Sequence, residues 1–258
     1  IPVDLFDELR FISGILYTDD VNILTLSSSQ DDIVSGAGNG NFVDGPINKV
    51  VKVSTSDEFN FPVGNDSRFG NVLLSGIGSD GTYQAEYYNN NPLNDGYDPS
   101  VYNSPLEFVS ENEYWRLLGP AFTTGSITLR WDASSGIYSG DINDIRIAEW
   151  RDLATDAWEE LDNTNLASGN ETSGTVEQQT TFTFNEFAGT GNIFTLGSVY
   201  VPQLLTWDGS ESSVWNDPDN WNNGVVPTQL DDIDIPAAMP NDPVISINNA
   251  ACKAITSL

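Results

Sequence analysis

Ile127-Thr128-Leu129-Arg130-Trp131-Asp132 alternates apolar and polar residues, so an extended chain places Ile127, Leu129 and Trp131 on one face. A helix would scatter them. The same period of two returns in Tyr83/Ala85/Tyr87, Ile145/Ile147 and Phe182/Phe184, whereas Gly, Asn, Ser, Thr and Asp interrupt the chain too often for an apolar stripe at helical spacing. Two segments, residues 2–10 and 152–162, have room for about two helical turns each. The expected fold class is all-β, a central β-sandwich flanked by partial β-solenoid segments.

Three zones differ in texture. In residues 1–49 short apolar groups (Ile12, Ile15-Leu16; Ile23-Leu24, Leu26; Ile33-Val34; Phe42-Val43, Ile47) return about every ten residues between turn residues, which fits either hairpins or the coils of a parallel β-solenoid. Residues 50–202 carry longer strands and most of the aromatics, the pattern of a two-sheet sandwich. Residues 203–258 hold Trp207-Asp208-Gly209, Trp215, Trp221 and then short runs at Ile233, Ile235, Val244, Ile245, Ile247 and Ile255. That last texture matches the first, so both flanks are expected to be cuts through a longer array of alternating solenoid and sandwich units. Trp207, Trp215 and Trp221 are then expected to seal a coil rather than to form a sugar platform.

The 258 residues include 38 acidic and 9 basic side chains, a formal charge of -29. Such a surface repels phosphate backbones and anionic headgroups, which excludes nucleic acid and membrane surfaces as partners. Aromatic residues make up 11% of the chain, too many for a disordered polymer. Charge of this density is tolerated where salt and calcium screen it, so an extracellular or cell-surface location is expected. The single Cys252 cannot form an internal disulfide and reads as a small buried apolar residue. No run approaches the roughly 20 apolar residues that span a bilayer, so direct membrane insertion is not expected.

The chain contains no histidine. Serine and cysteine triads, histidine metal centres and the usual general base near neutral pH are thereby removed, leaving a carboxylate pair of the glycosidase kind as the enzymatic option. With 38 acids, close pairs arise by chance. No cofactor is required, although structural calcium fits the Asp/Asn clusters, because a hard cation takes several oxygens in flexible geometry. The clusters are Asp19-Asp20-Asn22, Asp31-Asp32, Asp141-Asn143-Asp144, Asp217-Asp219-Asn220 and Asp231-Asp232-Asp234. Asp141, Asn143 and Asp144 are preferred because they fall in one loop between two expected strands. For ligand binding, Tyr88, Tyr97 and Tyr102 lie in an aromatic and amide-rich stretch of the kind that stacks on sugars. Ordinary long loops have the same composition.

Several pieces taken in order resemble a module of very large secreted surface proteins of Bacteroidota, including gliding-adhesin-like proteins. They are Phe42-Val43-Asp44-Gly45-Pro46-Ile47, Phe59-Asn60-Phe61-Pro62-Val63-Gly64, Ala85-Glu86-Tyr87-Tyr88, Glu113-Tyr114-Trp115-Arg116-Leu117, Ile127 to Asp132, Ile145-Arg146-Ile147-Ala148-Glu149-Trp150 and Phe194-Thr195-Leu196-Gly197-Ser198. The resemblance implies export by the type IX secretion system and work as an adhesin or surface filament. The chain departs from the pattern after Pro62-Val63-Gly64, where Asn65-Asp66 replaces a basic residue and removes the expectation of a shared charge pair there.

In the same segment, Pro62 and Gly64 suit a strand edge that turns a corner. Asp44-Gly45-Pro46 is a stop signal, and Trp115, Trp131 and Trp150 are expected in the inter-sheet core. The function expected is a non-enzymatic structural segment of a giant adhesin or filament. Its partners are neighbouring repeats of the same chain, with surface glycans or substratum as possible targets. The alternative is a carbohydrate-binding module of a secreted polysaccharide-processing protein, and a glycosidase ranks third.

Overall fold

The computed structural model describes residues 2–28, 30, 33–55, 57–137, 141–151, 156–162, 164–170, 172–185, 191–228, 231–245, 252 and 254–257. Among these the fold is all-β, with four short 3-10 turns and no α-helix. The chain opens as a three-faced solenoid. Its first coil runs through Val3–Leu5, Leu9–Arg10 and Leu16–Tyr17, and its second through Leu24–Leu26, Val34–Ser35 and Val43–Asp44. A third begins at Ile47–Val51 and returns through Val63–Asn65.

Pairing between coils is parallel and in register, with Val3 beside Leu24 beside Ile47, Leu9 beside Val34, and Leu16 beside Val43 beside Val63. Between hairpins and coils, the two open readings of this zone, the chain forms coils. Residues 2–10 are therefore strands rather than a helix, because Val3 and Leu5 point inward at a period of two onto Leu24 and Leu26.

Ile47–Val51 belongs to both architectures. On one edge it completes the parallel ladder, and on the other it pairs antiparallel with Gly81–Tyr88. From there the sheet continues through Tyr114–Leu118, Asn192–Ser198, Ile145–Arg151 and Ala157–Glu160, all antiparallel. Solenoid and sandwich thus share one sheet, joined inside a strand that spans position 49. The second expected helix, 152–162, holds the strand Ala157–Glu160, whose Ala157 and Trp158 are buried; residues 152–155 lie outside the described set.

The second sheet of the sandwich runs Leu166–Asn170, Ser173–Glu177, Thr124–Asp132, Val72–Ser75, Phe59–Phe61, with Phe182–Thr183 beside the start of its longest strand. Tyr83, Ala85 and Tyr87 from the first sheet meet Ile127, Leu129 and Trp131 from the second, and Leu24, Leu26 and Val43 of the solenoid belong to the same core. Trp115 and Trp131 sit in this core as expected. Trp150 does not: Ile145, Ile147 and Glu149 take the inward positions of its strand, so it packs on the outer face beside Tyr97 and Trp158.

The corner at Pro62 is present. Phe59–Phe61 lies in the second sandwich sheet and Val63–Asn65 on a solenoid face, so the chain changes sheet at the proline. Gly64, at that corner, does not take a positive φ. A Cβ there would lie 2.5 Å from the Arg68 carbonyl oxygen and 2.5 Å from the Phe42 ring, so glycine supplies room rather than backbone freedom. Gly45 has both constraints, with φ +114 and a virtual Cβ 2.3 Å from the Thr18 carbonyl oxygen of the coil beneath.

A second parallel ladder, Leu204–Thr206, Asp232–Ile235 and Ala254–Ser257, forms from residue 204 on, and a Val214–Val244 bridge marks another of its faces. Under it Trp207, Trp215 and Trp221 close into a triad. Trp221 meets the other two edge-on at 5.1 and 5.0 Å, and Trp207 and Trp215 lie 6.5 Å apart. All three are buried, packed with Leu205 and Ile233 of the ladder. Cys252 packs partly buried against the same cluster, and Ile247 lies outside the described residues.

Candidate functional site

The inward rows of the solenoids change abruptly along their stacks. In the first, Val3 is 57% exposed, Leu24 7% and Ile47 0%; in a neighbouring row Leu16 is 39% exposed while Val43 and Val63 are fully buried. In the second ladder Leu205 and Ile233 are fully buried and Ile255 is 55% exposed. Within each ladder, then, the inward row is buried where another coil or the sandwich lies against it.

The joint between solenoid and sandwich holds a buried ionic cluster. Arg68, on the short strand Arg68–Phe69 that forms a hairpin with Val63–Asn65, donates from Nη2 to Glu113 Oε1 (3.0 Å), Asp132 Oδ1 (3.0 Å) and Ser135 Oγ (2.7 Å). Tyr87 donates its hydroxyl to Glu113 Oε2 at 2.8 Å. One arginine thus ties a solenoid hairpin to both sandwich sheets. Burial drives the Glu113 carboxyl above its ordinary range, and Arg68 opposes that shift. At 1% exposure of its side chain, Glu113 is sealed from solvent and meets no substrate in this arrangement.

The sequence hid this cluster because its members are 45 and 64 positions apart. Asn65-Asp66 grips the coil beneath instead: Asn65 Nδ2 donates to Asp44 Oδ1 (3.0 Å) and the Asp66 amide to Asp44 Oδ2 (2.9 Å).

A second buried carboxylate, Glu149, faces the core at 0% exposure. It accepts from Asn192 Nδ2 at 2.6 Å and lies 2.6 Å from Arg151 Nη2. Burial again raises its carboxyl, with Arg151 acting against the rise.

The tyrosine candidates are drawn together only in part. Tyr88 stacks on Tyr114 with centroids 4.4 Å apart and planes 5° from parallel, and Tyr97 meets Tyr114 and Trp150 edge-on. Two of these hydroxyl groups are engaged: Tyr88 donates to Glu86, and Tyr114 to Asp95 at 2.8 Å. Burial is the leading cause of the upward shift of all three phenols. Tyr88 and Tyr97 are thus partly buried members of the packing that holds residues 89–107 on the outer face. Tyr102 stands apart at 37% exposure, its hydroxyl donating to the Glu107 carbonyl oxygen at 2.9 Å.

The calcium candidates form a self-contained turn. Asp141 caps the 3-10 turn Ile142–Asp144, its Oδ1 accepting from the Asn143 amide (2.9 Å) and Asn143 Nδ2 (2.7 Å). Burial, then the Asp141 charge, raise the Asp144 carboxyl. Asp19 and Asp217 cap turns in the same manner. Asp231 is buried and accepts from Tyr200, the Gln203 amide, and both the amide and hydroxyl of Thr228, which anchors the second ladder to the segment before it. Tyr200, half-buried against that carboxylate, has its phenol pushed up to about 12. Among the described residues no group of three or more His, Cys, Asp or Glu is placed to hold a metal. Asp31-Asp32 lies outside them. Nor is any helix among them long and apolar enough to cross a membrane.

No protein-family model, curated protein or solved structure matches the chain.

Proposed function

We propose that this chain is a non-enzymatic structural segment of an extracellular adhesin or surface filament, in which solenoid and sandwich units alternate to give length and to present other parts of the molecule. The observation that carries the reading is the succession within one chain of a parallel in-register ladder, an antiparallel sandwich that shares its sheet, and a second parallel ladder from Leu204 on. Stacked coils bury one another's inward rows, as at Leu24 and Ile47, which contributes roughly 25 cal/mol per Å² of apolar surface covered. The acidic exterior supports the same reading, since like charge opposes side-by-side association while leaving end-to-end stacking open.

Grafting a copy of residues 24–46 immediately before Val3 repeats the natural junction with Ile47. It should raise the melting midpoint and slow amide exchange across Val3–Leu5. Unchanged stability and unchanged exchange would count against coils that stack into longer arrays.

A further inference from the structure

At one end of the sandwich the turn Pro120-Ala121-Phe122-Thr123 is closed by the Thr123 amide donating to the Pro120 carbonyl oxygen at 3.2 Å. Its third residue, Phe122, has φ +61. That position normally falls to Gly or Asn, because a bulky side chain there is strained by about 1–3 kcal/mol. The Phe122 amide is held by the Phe184 carbonyl oxygen at 3.1 Å, so the sheet enforces the strained conformation. The ring meanwhile is 73% exposed. The strain opposes folding and the largely exposed ring returns little burial to offset it, whereas glycine would carry no such strain.

Beside the ring lies a concavity of about 280 Å³ lined by Gly78, Ser79, Ala121, Phe122, Thr123 and Thr124. None of these six carries a charge, in a protein whose formal charge is -29. Ser79 Oγ donates to Thr123 Oγ1 at 2.9 Å, and Tyr83 fixes the wall from below by donating its hydroxyl to the Ser79 carbonyl oxygen at 2.8 Å. The nearest carboxylate in sequence, Asp80, is turned to Lys52 at 3.1 Å and to the Val53 amide.

We propose that this concavity binds a neutral saccharide, with one sugar face stacked on Phe122 and ring hydroxyl groups bonded to Ser79 and Thr124. An uncharged, hydroxyl-lined hollow with an aromatic lip suits a ligand that has an apolar face and many hydroxyl groups. An anion would be repelled by the surrounding field, and a cation finds no carboxylate in the lining. The site lies apart from both solenoid ladders, so it stands whether or not the proposed structural role does.

The test is an amide-shift titration of the full chain with cellobiose, lactose, maltose and N,N′-diacetylchitobiose, with sialyllactose as the anionic control. At least one neutral disaccharide should shift the amides of Ser79, Phe122, Thr123 and Thr124, and sialyllactose should shift none. Phe122→Gly should weaken that binding by roughly tenfold or more, the loss expected for a stacked ring, while keeping or raising the melting midpoint. Thr124→Val, which preserves the β-branched shape, should weaken it without altering the fold. The proposal is overturned if no neutral disaccharide shifts these amides, or if binding persists in both variants. A Phe122→Gly variant that loses stability would also overturn it, since the ring would then serve the fold.

Discussion

Arg68 and Glu113 meet at 3.0 Å inside the junction of solenoid and sandwich, and Arg68 is the counter-charge by which a sealed carboxylate is accommodated there. Replacing Arg68 with Leu leaves Glu113 and Asp132 together without it, a loss of about 3–5 kcal/mol. The effect depends on pH with a definite sign. A carboxyl raised in the folded state binds its proton more tightly there than when unfolded, so its contribution falls as pH rises from the unfolded value through the folded one. Arg68→Leu raises that value further. Urea unfolding should therefore show the deficit largest at neutral pH and smaller near the ordinary carboxylate range; a deficit independent of pH would contradict the assignment.

Glu149→Gln tests the same linkage at another buried acid. Its carboxyl is also raised by burial, so ionisation costs the wild type stability at neutral pH and costs nothing where the group is protonated in both states. Relative to wild type, the variant should gain ground as pH rises from about the ordinary carboxylate value to neutrality. Denaturant midpoints across that range would show it. A difference that shrinks with rising pH would mean that Arg151 and Asn192 hold the charged form more tightly than burial penalises it.

Trp221→Ala removes the ring that meets both partners of the triad and the hydrogen bond from its Nε1 to the Trp215 carbonyl oxygen at 2.9 Å. A loss of about 3–5 kcal/mol is expected from the cavity alone. The triad and the inter-sheet core are separate clusters, so faster amide exchange should be confined to Leu204–Thr206 and Asp232–Ile235. Equal acceleration at Ile127 and Leu129 would show that the two unfold as one.

Excess chelator should leave the melting midpoint unchanged. The preferred calcium turn has already committed Asp141 Oδ1 to two Asn143 donors. A drop on chelation that calcium reverses, and that Asp144→Asn abolishes, would establish an ion site there.

The alternation at Ile127/Leu129/Trp131 and Tyr83/Ala85/Tyr87 was enough to read the sheets, because strand burial follows from local period. Coils were harder. Val3, Leu5 and Leu9 lack a full face of their own and become strand residues only through Leu24, Leu26 and Val34, more than 20 positions on. The tyrosines were legible as a cluster, yet whether Tyr88 faces solvent depends on Tyr114 arriving beside it from another strand. Arg68, Glu113 and Glu149 gave no local signal, since a buried charge looks like a surface charge until its partner is placed. Phe122 was invisible for a related reason: only the backbone angle separates it from any other loop aromatic.

The strand Ile47–Val51 carries one further consequence. Because it belongs to both ladders, the path of backbone pairing from Val3–Leu5 to Ala157–Glu160 crosses eight strands, a distance of roughly 34 Å at the usual inter-strand spacing, with no connecting segment interposed. The chain therefore has no hinge between these two units. Their mutual angle is fixed by hydrogen bonds that would have to break before either could swing.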